Sequence, residues 1–189
     1  MKKHLLKKKL FEKGMTMTEL LVSITLVGII SSVSFLSYHR IEKEFALQRS
    51  AYKLSQDIRR AMEKTMGAEK VGENIFPSGY GIYFEKNGHV FTVFLYADGK
   101  AGNENENYDE GEEIETISLE KGVKIQEVKI DSASPQRISI NFKAPLPKIK
   151  ISGPGEAEKD NATITICLES DQTKTKKIYV NKAGLIYVE

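Results

Sequence analysis

The sequence predicts an α+β protein: a long N-terminal helix whose first half spans a membrane, packed through its second half on an antiparallel β-sandwich head. Three observations predict it. No proline precedes Pro77. Inside that stretch, Met15 to Tyr38 is uncharged except for Glu19. Beyond Pro77 the apolar residues recur at every second position, where before it they recur at every third or fourth.

The first element, residues 1–14, holds six lysines against the single acid Glu12, so the net charge of +2 for all 189 residues becomes −3 without it. Basicity confined to a short leader argues against a nucleic-acid partner. The second element, residues 15–38, would make a helix of about 36 Å, enough to cross a hydrocarbon core of about 30 Å. Its hydroxyl residues, among them Thr16, Thr18, Ser23, Thr25, Ser31, Ser32, Ser34 and Ser37, can bond back to helix carbonyls and so enter lipid at limited cost. Lys2, Lys3, Lys7, Lys8, Lys9 and Lys13 precede the span, which predicts the leader inside and the remainder across the membrane. Ser32-Val33-Ser34 is a poor secretory cleavage match; a plain signal anchor remains the simple alternative.

The third element, residues 39–67, continues the helix as an amphipathic one. Leu47, Ala51, Leu54, Ile58, Ala61 and Thr65 fall on one face with Met62 beside them, and Gly67 is the expected C-terminal stop. The fourth, residues 68–189, is the head. About eight alternating segments (YGIYFE, HVFTVFLYA, EIETISL, VKIQEVKI, RISINFK, ATITICLE, KKIYVN and LIYV) read as strands, with turn signals at Asn87-Gly88 and in NKAG. Ile138, Ile140 and Phe142 should share a core with Ile164, Ile166 and Leu168. Crossover helices are lacking, so the sheets should be antiparallel. The single cysteine, Cys167, lies in an alternating run and reads as a small buried hydrophobe; an intermolecular bond or a reactive thiol are the other readings.

The order of lysines, Gly14, Met15-Thr16-Met17-Thr18-Glu19-Leu20-Leu21-Val22 and an apolar run resembles the prepilin signal of type IV pilins and type II secretion pseudopilins. The head segments YGIYFE, LYADGK, NYDEGEEIETISLEKGVKI, ISINFKAPLPKIKISG and KKIYVNKAGLIYV resemble the minor GspH/FimT-like group of that family. The resemblance implies cleavage between Gly14 and Met15 by a prepilin peptidase and N-methylation of Met15. It also implies assembly through Glu19, the fifth mature residue, into a pilus or pseudopilus. The implied partners are other pilin or pseudopilin subunits, an inner-membrane assembly platform and, before assembly, the lipid bilayer. Met15 stands where the family usually has phenylalanine, Leu36 where major pilins commonly carry a kinking proline, and the C-terminus AGLIYVE lacks the basic tail of DNA-binding relatives. An intramembrane carboxylate costs about 2.5–3.5 kcal/mol at a bilayer centre, so Glu19 needs water or a partner: its own mature amine or a neighbour's. The other function class is a filament-displayed adhesive or DNA-binding module, which steep salt dependence of DNA binding would reveal.

Asp98, Asn103, Asn105, Asn107, Asp109 and Glu112 crowd the segment DGKAGNENENYDEGEEIE, which reads either as a solvated loop or as an oxygen-rich Ca²⁺ site. The spacing is not that of an EF-hand. No other cofactor is expected. His4, His39 and His89 have no partner pattern for an activated nucleophile, and no phosphate loop or HExxH motif occurs, so no enzyme activity is expected.

Overall fold

The computed structural model describes residues 14–72, 75–88, 90–145, 148–153 and 159–189. The leader lysines, His4 and His89 lie outside these. The residues divide into two compact units between Ile41 and Glu42.

Helix α1 (Met17–Met66) belongs to both units. In the first unit every large apolar side chain described from Met15 to Phe35 is exposed. Its richest 18-residue window has a mean hydropathy of 2.2 and is buried nowhere. The expected hydroxyl back-bonding is present: Ser23, Thr25, Ser32 and Ser34 each donate to the carbonyl four residues earlier, at 2.8–3.0 Å. The helix is long and apolar enough to cross a membrane as a single span.

The second unit contains the rest of α1 and two antiparallel sheets. The first sheet orders its strands β3 (Glu113–Thr116), β2 (Val90–Asp98), β1 (Gly79–Asn87), β5 (Arg137–Lys143), β6 (Lys148–Ser152). The second runs β4 (Val123–Ile130), β7 (Asn161–Leu168), β8 (Thr175–Asn181), β9 (Ile186–Val188). Leu47, Ala51, Leu54, Ile58 and Ala61 enter the same core as the inner faces of both sheets, including all six residues named above from β5 and β7. The burial of this stripe is what period 3.6 anticipates. Polar groups fix the helix at its margins. Arg49 donates to both oxygens of Glu120 at 2.8 Å, Arg59 donates to the Ile186 carbonyl, and the buried Thr65 hydroxyl accepts the Tyr80 N–H at 3.0 Å.

Two details differ from the sequence reading. Nine strands are present among the described residues where about eight were expected; the one not foreseen is β6, an edge strand rich in lysine. The helix begins at Met17 instead of Met15. Its end at Met66 is the expected one: Gly67 makes the last helical bond, to Glu63, and Ala68 at φ 46° turns the chain. Cys167 is buried, and that burial pushes its thiol pKa up, as suits a packing residue.

Candidate functional site

Two regions contain the residues singled out by sequence, one in each unit. In the first, Gly14, Met15 and Thr16 are exposed and precede the helix. The Thr16 hydroxyl accepts the Glu19 N–H at 3.2 Å, and its carbonyl accepts the first helical bond, from Leu20, at 3.0 Å. Thr16 is therefore the N-cap and Glu19 the third helical residue, the spacing of a capping box. The signal for this, Thr-x-x-Glu before an apolar run, stands in the sequence but was read there only as part of the resemblance. The Glu19 carboxylate is exposed and accepts no hydrogen bond from any described residue. Its charge in the first turn interacts favourably with the helix dipole, by about 0.3–1 kcal/mol.

In the second unit, residues 99–112 form a strap between β2 and β3 that folds over the outer face of the first sheet. Alternation leaves Tyr83, Phe94, Tyr96, Ser139, Asn141 and Ser152 on that face. Tyr96 is fully buried there, with its hydroxyl 2.6 Å from Ser139 Oγ and accepting from Asn141 Nδ2 at 3.2 Å. Its ring occupies the space a side chain at Gly81 would need, 2.5 Å from an ideal Cβ. Burial drives the Tyr96 phenol pKa well up. Tyr108 of the strap lies flat on Tyr83 with ring centroids 4.0 Å apart and meets Tyr96 edge-on at 5.6 Å. Three further ties close the strap: Lys143 Nζ to Glu106 at 2.7 Å, Lys150 Nζ to the Asn105 carbonyl at 2.9 Å, and Ser152 Oγ to Asn107 Oδ1 at 2.5 Å.

The structure does bring the candidate calcium ligands into one loop, and it gives most of them other work. Asp98 is buried. Its Oδ1 accepts the Asn105 N–H at 3.2 Å, and its Oδ2 accepts the Glu106 N–H at 3.1 Å and the Ser78 hydroxyl at 2.5 Å. Glu112, also buried, accepts the N–H of Gly99 at 2.8 Å and of Asp109 at 3.0 Å, one on each oxygen. Desolvation raises its carboxyl pKa. Asp109 Oδ2 accepts from the side-chain amides of Asn103 and Asn105, and Asn105 Oδ1 accepts the Asn107 N–H. A cation at this cluster would face N–H groups already aimed at the carboxylates. Among the described residues no group of three or more His, Cys, Asp or Glu side chains is placed to hold a metal ion.

No family model, no curated protein and no solved structure matches the chain. Sequence reasoning missed the aromatic layer. Its signal was the outward positions of Tyr83, Phe94 and Tyr96, since large aromatics on a strand's solvent face ask for a cover.

Proposed function

We propose that this protein is a minor pilin or pseudopilin, a structural subunit of a type IV pilus or type II secretion pseudopilus, cleaved after Gly14 and N-methylated on Met15. The observation that carries the reading is the first half of α1, apolar all round, uncovered, and bearing one charge, Glu19, that no described residue engages. Such a helix is stable in lipid before assembly and among like helices after it. The Gly14–Met15 bond precedes the helix, in backbone open to a peptidase. Glu19 lies close enough to the membrane border to remain hydrated in the monomer. In a staggered bundle it would meet a neighbour's N-terminal amine, and an ion pair in low dielectric sets register. The head then stands outside the cytoplasm and offers its surface to other subunits.

The experiment is mass spectrometry of the mature N-terminus together with the variant Glu19→Ala. The expected outcome is methyl-Met15 in both proteins and loss of the variant from sheared filaments. An intact Met1, or wild-type incorporation of the variant, would overturn the proposal.

A further inference from the structure

The strap does not cover the whole outer face of the first sheet. Beside Tyr108 it leaves a groove of about 650 Å³, within the range typical of small-ligand sites. Its floor is aromatic. Tyr83 and Phe94 are register partners on β1 and β2 with nearly parallel rings 6.4 Å apart, and Tyr108 lies over them at 4.0 and 6.2 Å. Its rim is acidic: Glu85 on β1, Asp109 and Glu110 on the strap and Glu113 on β3, opposed by a single cation, Arg137. Four carboxylates to one guanidinium leave a surplus of three negative charges.

These acids differ in how far they are already engaged. Glu113 accepts the Tyr108 hydroxyl and the Gly111 N–H, and Asp109 is tied to Asn103 and Asn105. Glu85 and Glu110 accept no hydrogen bond from any described residue and are no part of the strap's internal ties. Two carboxylates that accept no hydrogen bond, Glu85 opposite Arg137 in the β1–β5 register and Glu110 on the strap, lie beside the half-buried rings of Phe94 and Tyr108 and form a setting that attracts a flat, weakly hydrated cation. Guanidinium fits it better than ammonium, because it stacks on rings and donates two parallel hydrogen bonds to one carboxylate.

We propose that this groove is a docking site for an arginine side chain carried on an extended segment of a partner protein. The guanidinium lies against Phe94 and Tyr108, with Glu110 and Glu85 accepting its hydrogen bonds. Charge complementarity selects this occupant over a neutral glycan, which would leave the surplus charge uncompensated, and over an acidic or phosphate-bearing one, which would be repelled.

The test uses the full chain in detergent micelles and a fluorescein-labelled peptide, acetyl-Gly-Arg-Gly-Arg-Gly-amide, read by fluorescence anisotropy. The control peptide carries citrulline, which keeps the shape and removes the charge. Saturable binding of the arginine peptide that weakens with added salt, with no binding of the citrulline peptide, is expected. The double variant Glu85→Gln/Glu110→Gln should bind roughly tenfold more weakly or worse. It should melt at the wild-type temperature, because neither side chain holds the strap. Equal binding of the two peptides, no binding of either, unchanged affinity of the double variant, or binding of neutral oligosaccharides in place of the arginine peptide would each overturn the proposal. Filament incorporation of the double variant is a separate readout, so failure here is distinguishable from failure of the assembly reading.

Discussion

Replacing Asp98 by alanine removes one buried carboxylate and with it the acceptors of three donors, the N–H groups of Asn105 and Glu106 and the Ser78 hydroxyl. A hydrogen bond to a charged group contributes roughly 1.5–3 kcal/mol, and the freed amides of a surface strap can recover part of that from water. Removing the ion also relieves its own desolvation. A net loss of about 2–4 kcal/mol is expected, with Asp98→Asn costing about half as much because one carbonyl oxygen remains. In a unit of this size each kcal/mol lowers Tm by about 2–4 °C, so Asp98→Ala should melt roughly 4–16 °C early. The assay is calorimetry combined with hydrogen exchange at the Asn105 and Glu106 amides, whose protection should collapse while that of β1 and β5 persists. Added Ca²⁺ or a chelator should leave the wild-type Tm unchanged. Melting of Asp98→Ala within about 2 °C of wild type would refute the assignment of Asp98 as the strap's anchor. Calcium stabilisation that disappears in Asp98→Asn would refute it in the other direction and make the loop a metal site.

Two further perturbations test other parts of the head. Leu54→Ala, at a fully buried position of the helix stripe, should cost about 2–5 kcal/mol in urea denaturation, and a cost below about 1 kcal/mol would mean that the helix does not share the core. The Lys143 hydrogen bond holds the Glu106 carboxyl below its ordinary value near 4.5. A depressed carboxyl stabilises the fold above its unfolded value and loses that contribution as pH falls through the folded one. Acidification below pH 4.5 should therefore loosen the strap in wild type, and Glu106→Gln should lack this component of the pH dependence; identical acid profiles would remove the tie from consideration.

The helix and the core strands were legible because their periodicity is local. Leu47 to Thr65 repeats at three and four, and burial follows; Ile138 to Phe142 repeats at two, and its three apolar residues are buried in the core, while the strap also buries the outward Ser139 and Asn141. β6 was harder to see. Pro145 and Pro147 demote the segment before Lys148-Ile149-Lys150-Ile151, and its edge position is set by pairing with β5 rather than by its own composition. The end of α1 at Met66 was legible from Gly67 just beyond it, although the left-handed residue that turns the chain is Ala68, which no composition rule would have picked. The strap was the least legible. DGKAGNENENYDEGEE has the same composition whether it waves in water or is folded down. What folds it are Ser78, Lys143, Lys150 and Ser152, between 20 and 45 residues from their partners in the chain. A single sequence carries no pattern that links such positions.

The same distinction between local and distant partners bears on how a helix like the first half of α1 would find its register in an assembly. Apolar packing alone permits sliding, since one turn of Leu, Ile and Val resembles the next. Hydroxyls offer a polar code only if they are free to bond a neighbour. Ser23, Thr25, Ser32 and Ser34 each donate their proton to their own helix, and Thr16 gives its oxygen to the Glu19 N–H. Breaking such a bond to make one across helices gains little, because one hydrogen bond replaces another. Glu19 differs in kind: it is the only charge from Met15 to Tyr38, and its oxygens receive no described donor. Pairing it replaces no hydrogen bond within the chain, and leaving it unpaired in lipid is costly. On the assembly reading, the capping role of its backbone and the register role of its carboxylate are compatible, since one uses the N–H and the other the side chain. Glu19→Gln separates the two: the helix start should persist by circular dichroism and amide exchange, while filament incorporation falls.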